Sequence, residues 1–409
     1  MDRFVPVDLD EHHRRVATRA AAGDDLARAA AADVAGQPPL TLRLTDGRAW
    51  SYVPGPERPS ERGTGPDAVA VVPGERDGAT VALLDDDAWH QFVHELRTSY
   101  GLLYAGLVRL VTGGFDTFAH WEPALRAFWH DRPIYDPASV ATFADVDGSP
   151  LDLACRFPAG TDDARLAHVL QQTGYLHVQG VFSPDEMATL RAEVERLTAE
   201  ARPGDGTSWW AKDADGHEVC CRLIYTGPRS PAIAALSQDP RVLRLGALAG
   251  VPLRPSDDRL DGHSVVMKQP GAVEGLADLP WHRDCGLGGH PVLCPGINLG
   301  IQLDAATPET GQLHVLPGSW AHSSHQVTPG AEASLPVVAL TTEPGDCTVH
   351  LGHVLHAAPS PTGTGGGRRA LYVTFVPDVA FEVVGQWQGY NDVIHARDGV
   401  VSTSSSRAN

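Results

Sequence analysis

The stretch LPWHRDCGLGGH, residues 279–290, places a histidine and an aspartate two positions apart. On a β-strand the side chains at i and i+2 project from one face, so His282 and Asp284 converge while Arg283 faces away. An imidazole and a carboxylate supply two thirds of a facial triad, the usual way a protein holds Fe(II) with positions left open. One such pair among 19 histidines also arises easily by chance. The pair therefore indicates a metal site only if a second histidine comes from elsewhere.

A second stretch, GDCTVHLGHVLHAAPSPTGTGGGRRALYVTF at residues 345–375, supplies that histidine and a cation. Gly345-Asp346 begins a strand, His356 ends the next segment, and an arginine pair begins a further strand after a glycine-rich turn. A guanidinium can bind a carboxylate through two parallel hydrogen bonds. The stretch therefore predicts that an arginine near the metal binds the distal carboxylate of 2-oxoglutarate.

Residues 166–377 resemble the phytanoyl-CoA dioxygenase family of Fe(II)/2-oxoglutarate oxygenases. The markers occur in family order: TGYLHVQGVFSPDEMATLRAEVERL, WHRD, LDAATPETGQLHVLPGSW, and GD followed by LHAAP and RRAL. The resemblance implies a double-stranded β-helix, the jelly-roll or cupin-like barrel, with flanking helices. It implies that His282, Asp284 and His356 are the catalytic residues that bind the metal. Fe(II) would be the cofactor, with 2-oxoglutarate and O2 as cosubstrates.

The reaction that the resemblance implies is hydroxylation of an unactivated C–H bond, coupled to conversion of 2-oxoglutarate to succinate and CO2. Desaturation or cyclisation uses the same ligands and stays open. Halogenating members have a small residue in place of the carboxylate, so Asp284 favours hydroxylation. His350 and His353 are alternative third ligands, but the family uses the histidine before the loop to the arginine, which favours His356.

Two adjacent arginines are candidates for binding the 2-oxoglutarate carboxylate. Strand alternation puts Arg368 and Arg369 on opposite faces, and the family pattern of arginine, one residue, alanine favours Arg368. The family often has serine and asparagine after the last histidine, whereas this chain reads AAPSP, which leaves open which hydroxyl assists the arginine. Further candidate cofactor-binding residues, each with ordinary barrel packing as the alternative, are Lys268, Gln269, Gln302 and Ser360.

The stretch GDGTSWWAKDADGHEVCCRL, residues 204–223, is long, polar and aromatic, which is typical of an active-site lid. Trp209, Trp210 and Arg222 are candidate substrate contacts within it, with packing inside the loop as the alternative. Trp281 is expected to line the pocket.

The first third of the chain reads as a smaller α/β domain, residues 1–140, before the oxygenase domain at 141–400 and a disordered tail at 401–409. A helix is predicted over 10–32, a hairpin around Asp46-Gly47, an exposed loop over 54–67, two strands in DAVAVV and GATVALLDD, and a helix including 121–129. This order resembles the sterol-carrier-protein-like fold. A helper domain that only packs or dimerises is the alternative.

The 409 residues carry a formal net charge of −19, which disfavours nucleic acid and anionic membrane surfaces as partners. Six cysteines without a CxxC pair predict free thiols. The N-terminus lacks signal-peptide order and no apolar run is long enough to span a membrane. We therefore expect a soluble, cytoplasmic monomer or homodimer that acts on a small molecule.

Two other functions remain open from the sequence. One is a cupin-type metalloenzyme that works without 2-oxoglutarate, although the glycine-rich turn and Arg368 would then have no role. The other is a non-catalytic protein that binds a lipid or small molecule. A serine hydrolase is disfavoured because no GxSxG motif occurs. A sterol-carrier-like domain favours an apolar or acyl-type substrate, and natural-product scaffolds stay open.

Overall fold

The structure is a computed structural model. It describes residues 4–55, 68–213, 215–256, 262–272, 279–286, 295–328, 330–363 and 365–383, together with the backbone of 57–60 and 63–66. The described chain divides into two compact units. The first comprises residues up to Asp136 together with Gly286 and residues 321–325, and the second comprises the remainder. The sequence predicts one boundary at residue 140, whereas the structure also groups these two later segments with the first unit.

The first unit contains a five-stranded sheet with five helices. Its helices are α1 Leu9–Ala22, α2 Asp25–Asp33, α3 Asp86–Val93, α4 Ser99–Ala105 and α5 Phe115–His130. Its strands are β1 Leu40–Leu44, β2 Ala49–Pro54, β3 Glu57–Ser60, β4 Gly63–Pro66, β5 Val69–Pro73, β6 Thr80–Leu84 and β7 Arg109–Thr112. The sheet order is β5-β2-β1-β6-β7, and β3 pairs with β4 in a separate ribbon.

The sequence predictions for this unit are partly confirmed. The hairpin forms, with Arg43 opposite Ala49 on β1 and β2. The single helix over 10–32 is wrong, because Gly23 takes a left-handed φ of 62° and ends α1, and the Asp24 side chain caps α2. The loop over 54–67 is also wrong where it is described, since the backbones of β3 and β4 satisfy each other's hydrogen bonds.

The second unit contains most of the strands. Its helices are α6 Asp163–Thr173, α7 Pro184–Glu200, α8 Pro231–Ala234, α9 Pro240–Gly246 and α10 Asp378–Val383. Its first strands are β8 Phe157–Pro158, β9 Tyr175–Gln179, β10 Ser208–Lys212, β11 Glu218–Leu223, β12 Arg254–Pro255, β13 Ser264–Lys268 and β14 Leu279–His282. The later ones are β15 Ile297–Gln302, β16 Leu313–Val315, β17 Val338–Leu340, β18 Cys347–Leu351, β19 His356–Ala358 and β20 Arg368–Val376. No described helix has the length and apolar character needed to cross a membrane.

These strands build a double-stranded β-helix from two sheets. The major sheet runs β10-β11-β13-β20-β15-β18-β9-β8, with β12 beside β20. The minor sheet runs β14-β19-β16-β17. The predicted jelly roll is therefore confirmed.

Alternation along the major strands separates a core face from a polar face. On the core face, apolar side chains join α6 and α7 in one cluster, and each fully buried one contributes roughly 1.5–3 kcal/mol. Strand residues in that cluster include Val265, Met267, Leu299, Ile301, Val349, Leu371 and Val373. The opposite face presents polar side chains, among them Lys268, Asn298, Gln302, His350, Arg368 and Tyr372. The site is built on this second face.

The predicted lid over 204–223 takes a different form. Most of it is a hairpin, β10 with β11, and β11 continues into the major sheet by pairing with β13. The segment is therefore part of the sheet, not a separate covering loop.

Candidate metal centre

The three predicted metal ligands lie together. Strands β14 and β19 pair antiparallel with His282 directly opposite His356, and the two ring centroids are 4.2 Å apart. Asp284 follows β14, where its backbone N–H donates to the Gly352 carbonyl at 3.0 Å. Its Oδ1 is 3.5 Å from Nε2 of His282 and its Oδ2 is 3.6 Å from Nε2 of His356. One donor atom of each residue lies within 4.8 Å of the other two, close enough to share one ion.

The tautomers of both histidines are fixed by the backbone. Nδ1 of His282 is 2.7 Å from the Pro280 carbonyl oxygen, and Nδ1 of His356 is 3.0 Å from that of Val354. A carbonyl oxygen only accepts, so each Nδ1 carries the proton and each Nε2 presents a lone pair toward Asp284. Histidines that bind metals characteristically make this second contact. The imidazoles are therefore oriented for a cation before it arrives.

The Asp284 carboxylate is oriented from the major sheet. Nδ2 of Asn298 on β15 donates to its Oδ2 at 2.5 Å, and the Thr374 hydroxyl on β20 donates to Asn298 Oδ1 at 2.7 Å. Nε2 of His350 on β18 lies 3.4 Å from the same Oδ2. Asn298 is not among the residues predicted from the sequence. It lies in INLGIQ on the same strand face as the candidate Gln302, and this shared face could have identified it.

Burial and neighbouring charge set the protonation of the site. Burial lowers the pKa of His356 to about 3, so its imidazole is neutral at physiological pH. Burial alone would raise the pKa of the Asp284 carboxyl, but its interactions with His356, His282 and His350, whose charged forms favour the carboxylate, hold that pKa well below its usual range. A charged carboxylate beside a neutral imidazole is the state that binds a divalent cation without first losing a proton.

The alternative histidines take other roles. The imidazole of His350 is tilted by 49° against that of His356, with centroids 4.6 Å apart, and it contacts Asp284. The carbonyl of His353 accepts from the Arg283 guanidinium at 2.9 Å. That contact turns Arg283 away from its neighbours His282 and Asp284.

The two candidate arginines point to opposite faces. The Arg368 side chain is buried, and its Nη1 donates to the Gly311 carbonyl at 2.5 Å. Its Nε is buried without a hydrogen-bond partner among the described residues, and no described carboxylate lies within 4.0 Å of the guanidinium. Burial raises the pKa of the Tyr372 phenol, and the nearby Arg368 guanidinium opposes that rise. Arg369 instead makes an ion pair with Asp304 at 2.7 Å.

A glycine makes the Arg368 contact possible. Gly311 has a φ of 77°, and a Cβ there would lie 2.4 Å from the Pro359 carbonyl oxygen. Any other residue would therefore shift the carbonyl that accepts from Arg368. Lys268, opposite Arg368 in the β13–β20 pair, is also buried and donates to the Ala358 carbonyl.

The remaining predicted residues are placed as follows. Gln302 is buried and donates to the Thr348 hydroxyl at 3.1 Å, while its Oε1 has no described partner. Gln269 and Ser360 are half-buried. Arg222 lies opposite Val266 in the β11–β13 pair. Trp209 is buried in a small cluster with Ala211 and Cys221, Trp210 packs against the main core, and Trp281 is buried on β14.

Residues 170–370 match the family model described as phytanoyl-CoA dioxygenase (PhyH). A curated relative, L-proline trans-4-hydroxylase of Streptomyces griseoviridis, is 33% identical over 158 residues, 36% of this chain and 51% of that protein. The match thus spans about half the length of that relative. AviO1 from Streptomyces viridochromogenes Tue57 is similar at 25% identity and a TM-score of 0.42, over 53% of this chain and 95% of that one. EctD from S. alaskensis, solved with 2-oxoglutarate and 5-hydroxyectoine, is similar at 20% identity and a TM-score of 0.46. That match covers 63% of this chain and 89% of the EctD chain.

Proposed function

From the match of residues 170–370, just under half of the chain, to the phytanoyl-CoA dioxygenase family model, we propose that this protein is an Fe(II)/2-oxoglutarate-dependent oxygenase. The proposed reaction hydroxylates an unactivated C–H bond of a small molecule and releases succinate and CO2. The observation that carries the proposal is the convergence of two imidazoles, each with a fixed lone pair, on one ionised carboxylate.

The donor set fits Fe(II). Two Nε2 atoms and one carboxylate oxygen form the 2-His-1-carboxylate pattern that leaves positions open for cosubstrates. His282, Asp284 and His356 would hold the ion, and Asn298 would keep the carboxylate from rotating away. Bound iron and 2-oxoglutarate together supply the oxidising chemistry.

Arg368 is the proposed anchor of 2-oxoglutarate. Its buried guanidinium has no described carboxylate partner and an unused Nε, so a distal carboxylate would satisfy it with a strong charge-assisted pair. The ring centroids of Tyr372 and His350 are 6.3 Å apart, and the His350 ring in turn contacts that of His356. This chain of contacts connects the proposed anchor with the metal ligands. Tyr372 is therefore our candidate for the hydroxyl that assists the arginine.

The proposed substrate is a small molecule. The similarity to an L-proline hydroxylase supports a small-molecule substrate. Arg222 and Trp281 are the proposed substrate contacts. Trp210 is not among them, because its indole packs against the core and donates to the Ser208 hydroxyl at 2.8 Å.

The decisive experiment measures iron content and 2-oxoglutarate turnover. Asp284→Ala should abolish succinate formation and weaken iron binding while the fold survives, because the carboxylate is the charged ligand. The circular dichroism spectrum of the variant checks the fold. Full turnover in this variant would overturn the proposal.

The cosubstrate anchor is tested separately. Arg368→Ala should raise the KM for 2-oxoglutarate by at least about tenfold with iron affinity nearly unchanged, since loss of one charged pair costs a few kcal/mol. Arg369→Ala is the matched control, because its guanidinium pairs with Asp304 outside the site. An Arg369→Ala effect on KM equal to that of Arg368→Ala would reject the assignment.

A further inference from the structure

We propose that Asp33, His120 and His325 form a second divalent metal site in the first unit, separate from the candidate iron centre. One donor atom from each residue lies within 4.8 Å of the other two. Two imidazoles and one carboxylate suit Zn(II), which accepts three protein ligands and a water. The proposal does not depend on the oxygenase activity.

Three separate elements supply the ligands. Asp33 is the last residue of α2, His120 lies on α5, and His325 ends the segment 321–325. The three are brought together from far apart in sequence: Asp33 is 87 residues from His120 and 292 from His325. An ion at this point would therefore cross-link distant parts of the chain.

The segment that carries His325 is held by the backbone. Ser323 donates to the Pro133 carbonyl at 2.9 Å and accepts from the Tyr135 N–H at 2.7 Å. These contacts form a parallel bridge between Ile134 and Ser323. His325 is therefore positioned independently of any ion.

Two hydrogen bonds hold the three side chains close together. Nε2 of His325 is 2.7 Å from Asp33 Oδ1, and Nε2 of His120 is 3.1 Å from the Asp33 carbonyl oxygen. Because a carbonyl only accepts, His120 carries its proton on Nε2 and keeps a lone pair on Nδ1, the arrangement common in metal-binding histidines. The rings of His120 and His325 are 4.3 Å apart, close to the 4.2 Å between His282 and His356.

A simple ion pair between Asp33 and His325 leaves one atom unexplained. Oδ2 of Asp33 is buried and has no hydrogen-bond partner among the described residues. A buried acceptor without a partner is costly, and more so when it is charged. A cation held by all three side chains would satisfy it.

The test titrates Zn(II) into the full-length chain with two of the three candidate iron ligands removed. In a His282→Ala/Asp284→Ala background, calorimetry and elemental analysis after dialysis should give one Zn(II) per chain. Adding His325→Gln should weaken binding by at least about tenfold, the scale on which metal sites respond to a lost contact. Glutamine can still donate to Asp33, so this variant separates metal binding from the hydrogen bond.

The matched control is His217→Gln in the exposed group Asp213, Asp215 and His217, which also brings three possible donors together. It should leave Zn(II) affinity unchanged. A second readout is thermal: Zn(II) should raise the melting temperature of the background chain but not of its His325→Gln form. Absence of bound Zn(II), equal affinity in the His325→Gln form, or loss of binding on His217→Gln instead would overturn the proposal.

Discussion

The orientation of the Asp284 carboxylate depends on a residue outside the three candidate metal ligands. Asn298 donates to Asp284 and is itself fixed by the Thr374 hydroxyl. The Asn298 side chain therefore links the major sheet to Asp284, which follows β14. Asn298 is a positioning residue, and its effect should appear first in metal affinity.

Asn298→Ala should lower iron affinity by about 10–100-fold, the usual effect of losing a contact behind a metal ligand. The fold should persist, because the substitution removes polar atoms from the site and leaves the apolar core untouched. Anaerobic Fe(II) titration measures the affinity. Asn298→Asp is the informative comparison, since it keeps the size but places a second negative charge against Asp284. Wild-type iron affinity in the alanine variant would contradict the role.

At this scale the sequence predicted which residues the structure brings together better than the contacts that support them. Side-chain alternation pairs His282 with Asp284, and the family resemblance adds His356 to the group that lies within 4.8 Å. The partners of Asp284 come from β15, β18 and β20, and pairing between distant strands is not visible in local spacing. Arg368 and Arg369 could be separated into opposite faces by alternation, but only the ion pair of Arg369 with Asp304 shows which face is which.

Helix α7 shows how local sequence determines an element. Ser183 accepts from the Glu186 N–H at 3.3 Å, and Glu186 accepts from the Ser183 N–H at 2.8 Å, a reciprocal capping box with Pro184 at the first position. The sequence predicted this cap because every contact lies within four residues. The place of the 208–223 hairpin in the major sheet escaped prediction because the pairing of β11 with β13 joins residues more than forty positions apart.

Ser183→Ala should reduce the free energy of unfolding by about 1 kcal/mol through loss of the cap. Urea denaturation of the full chain measures the change. Thr189→Ala, on the exposed surface of the same helix, is the control and should stay within about 0.5 kcal/mol of wild type. Equal stability of the Ser183→Ala protein and the wild type would show that tertiary packing alone holds the helix start.

At the scale of the whole molecule, the first unit contains a group of buried histidines among aromatic rings. His13 stacks between Trp50 and Trp89, with both ring separations at 5.4 Å. Burial lowers the pKa of His13 to about 4, and that of His12 and of His130 to about 3. All three are therefore neutral in the folded unit at neutral pH.

Acid should destabilise this unit. In the unfolded chain these imidazoles take up protons as the pH falls below about 6.5, whereas the folded unit excludes them down to about pH 4. The contribution of the neutral histidines to the free energy of unfolding is fully present above pH 6.5. Below that pH, each buried histidine should lower the free energy of unfolding by about 1.4 kcal/mol per pH unit. Urea denaturation followed by tryptophan emission at pH 7, 6 and 5 measures the slope.

The matched variants assign this slope to buried groups. His13→Phe should reduce the slope of the unfolding free energy against pH by the contribution of one histidine. The exposed His217→Ala should leave that slope unchanged. An unaltered slope in His13→Phe would mean that other groups control the acid response.

The backbone bridge at Ser323 bears on attempts to divide the molecule. A gene cut between codons 136 and 137 would strip Ser323 of the two main-chain partners that precede the cut. A chimera that exchanges the first unit for that of another protein would meet the same difficulty, unless residues 321–325 were replaced in the same step. Because Gly286 is also grouped with the first unit, the exchange involves three separate segments, although the primary sequence suggests a single boundary.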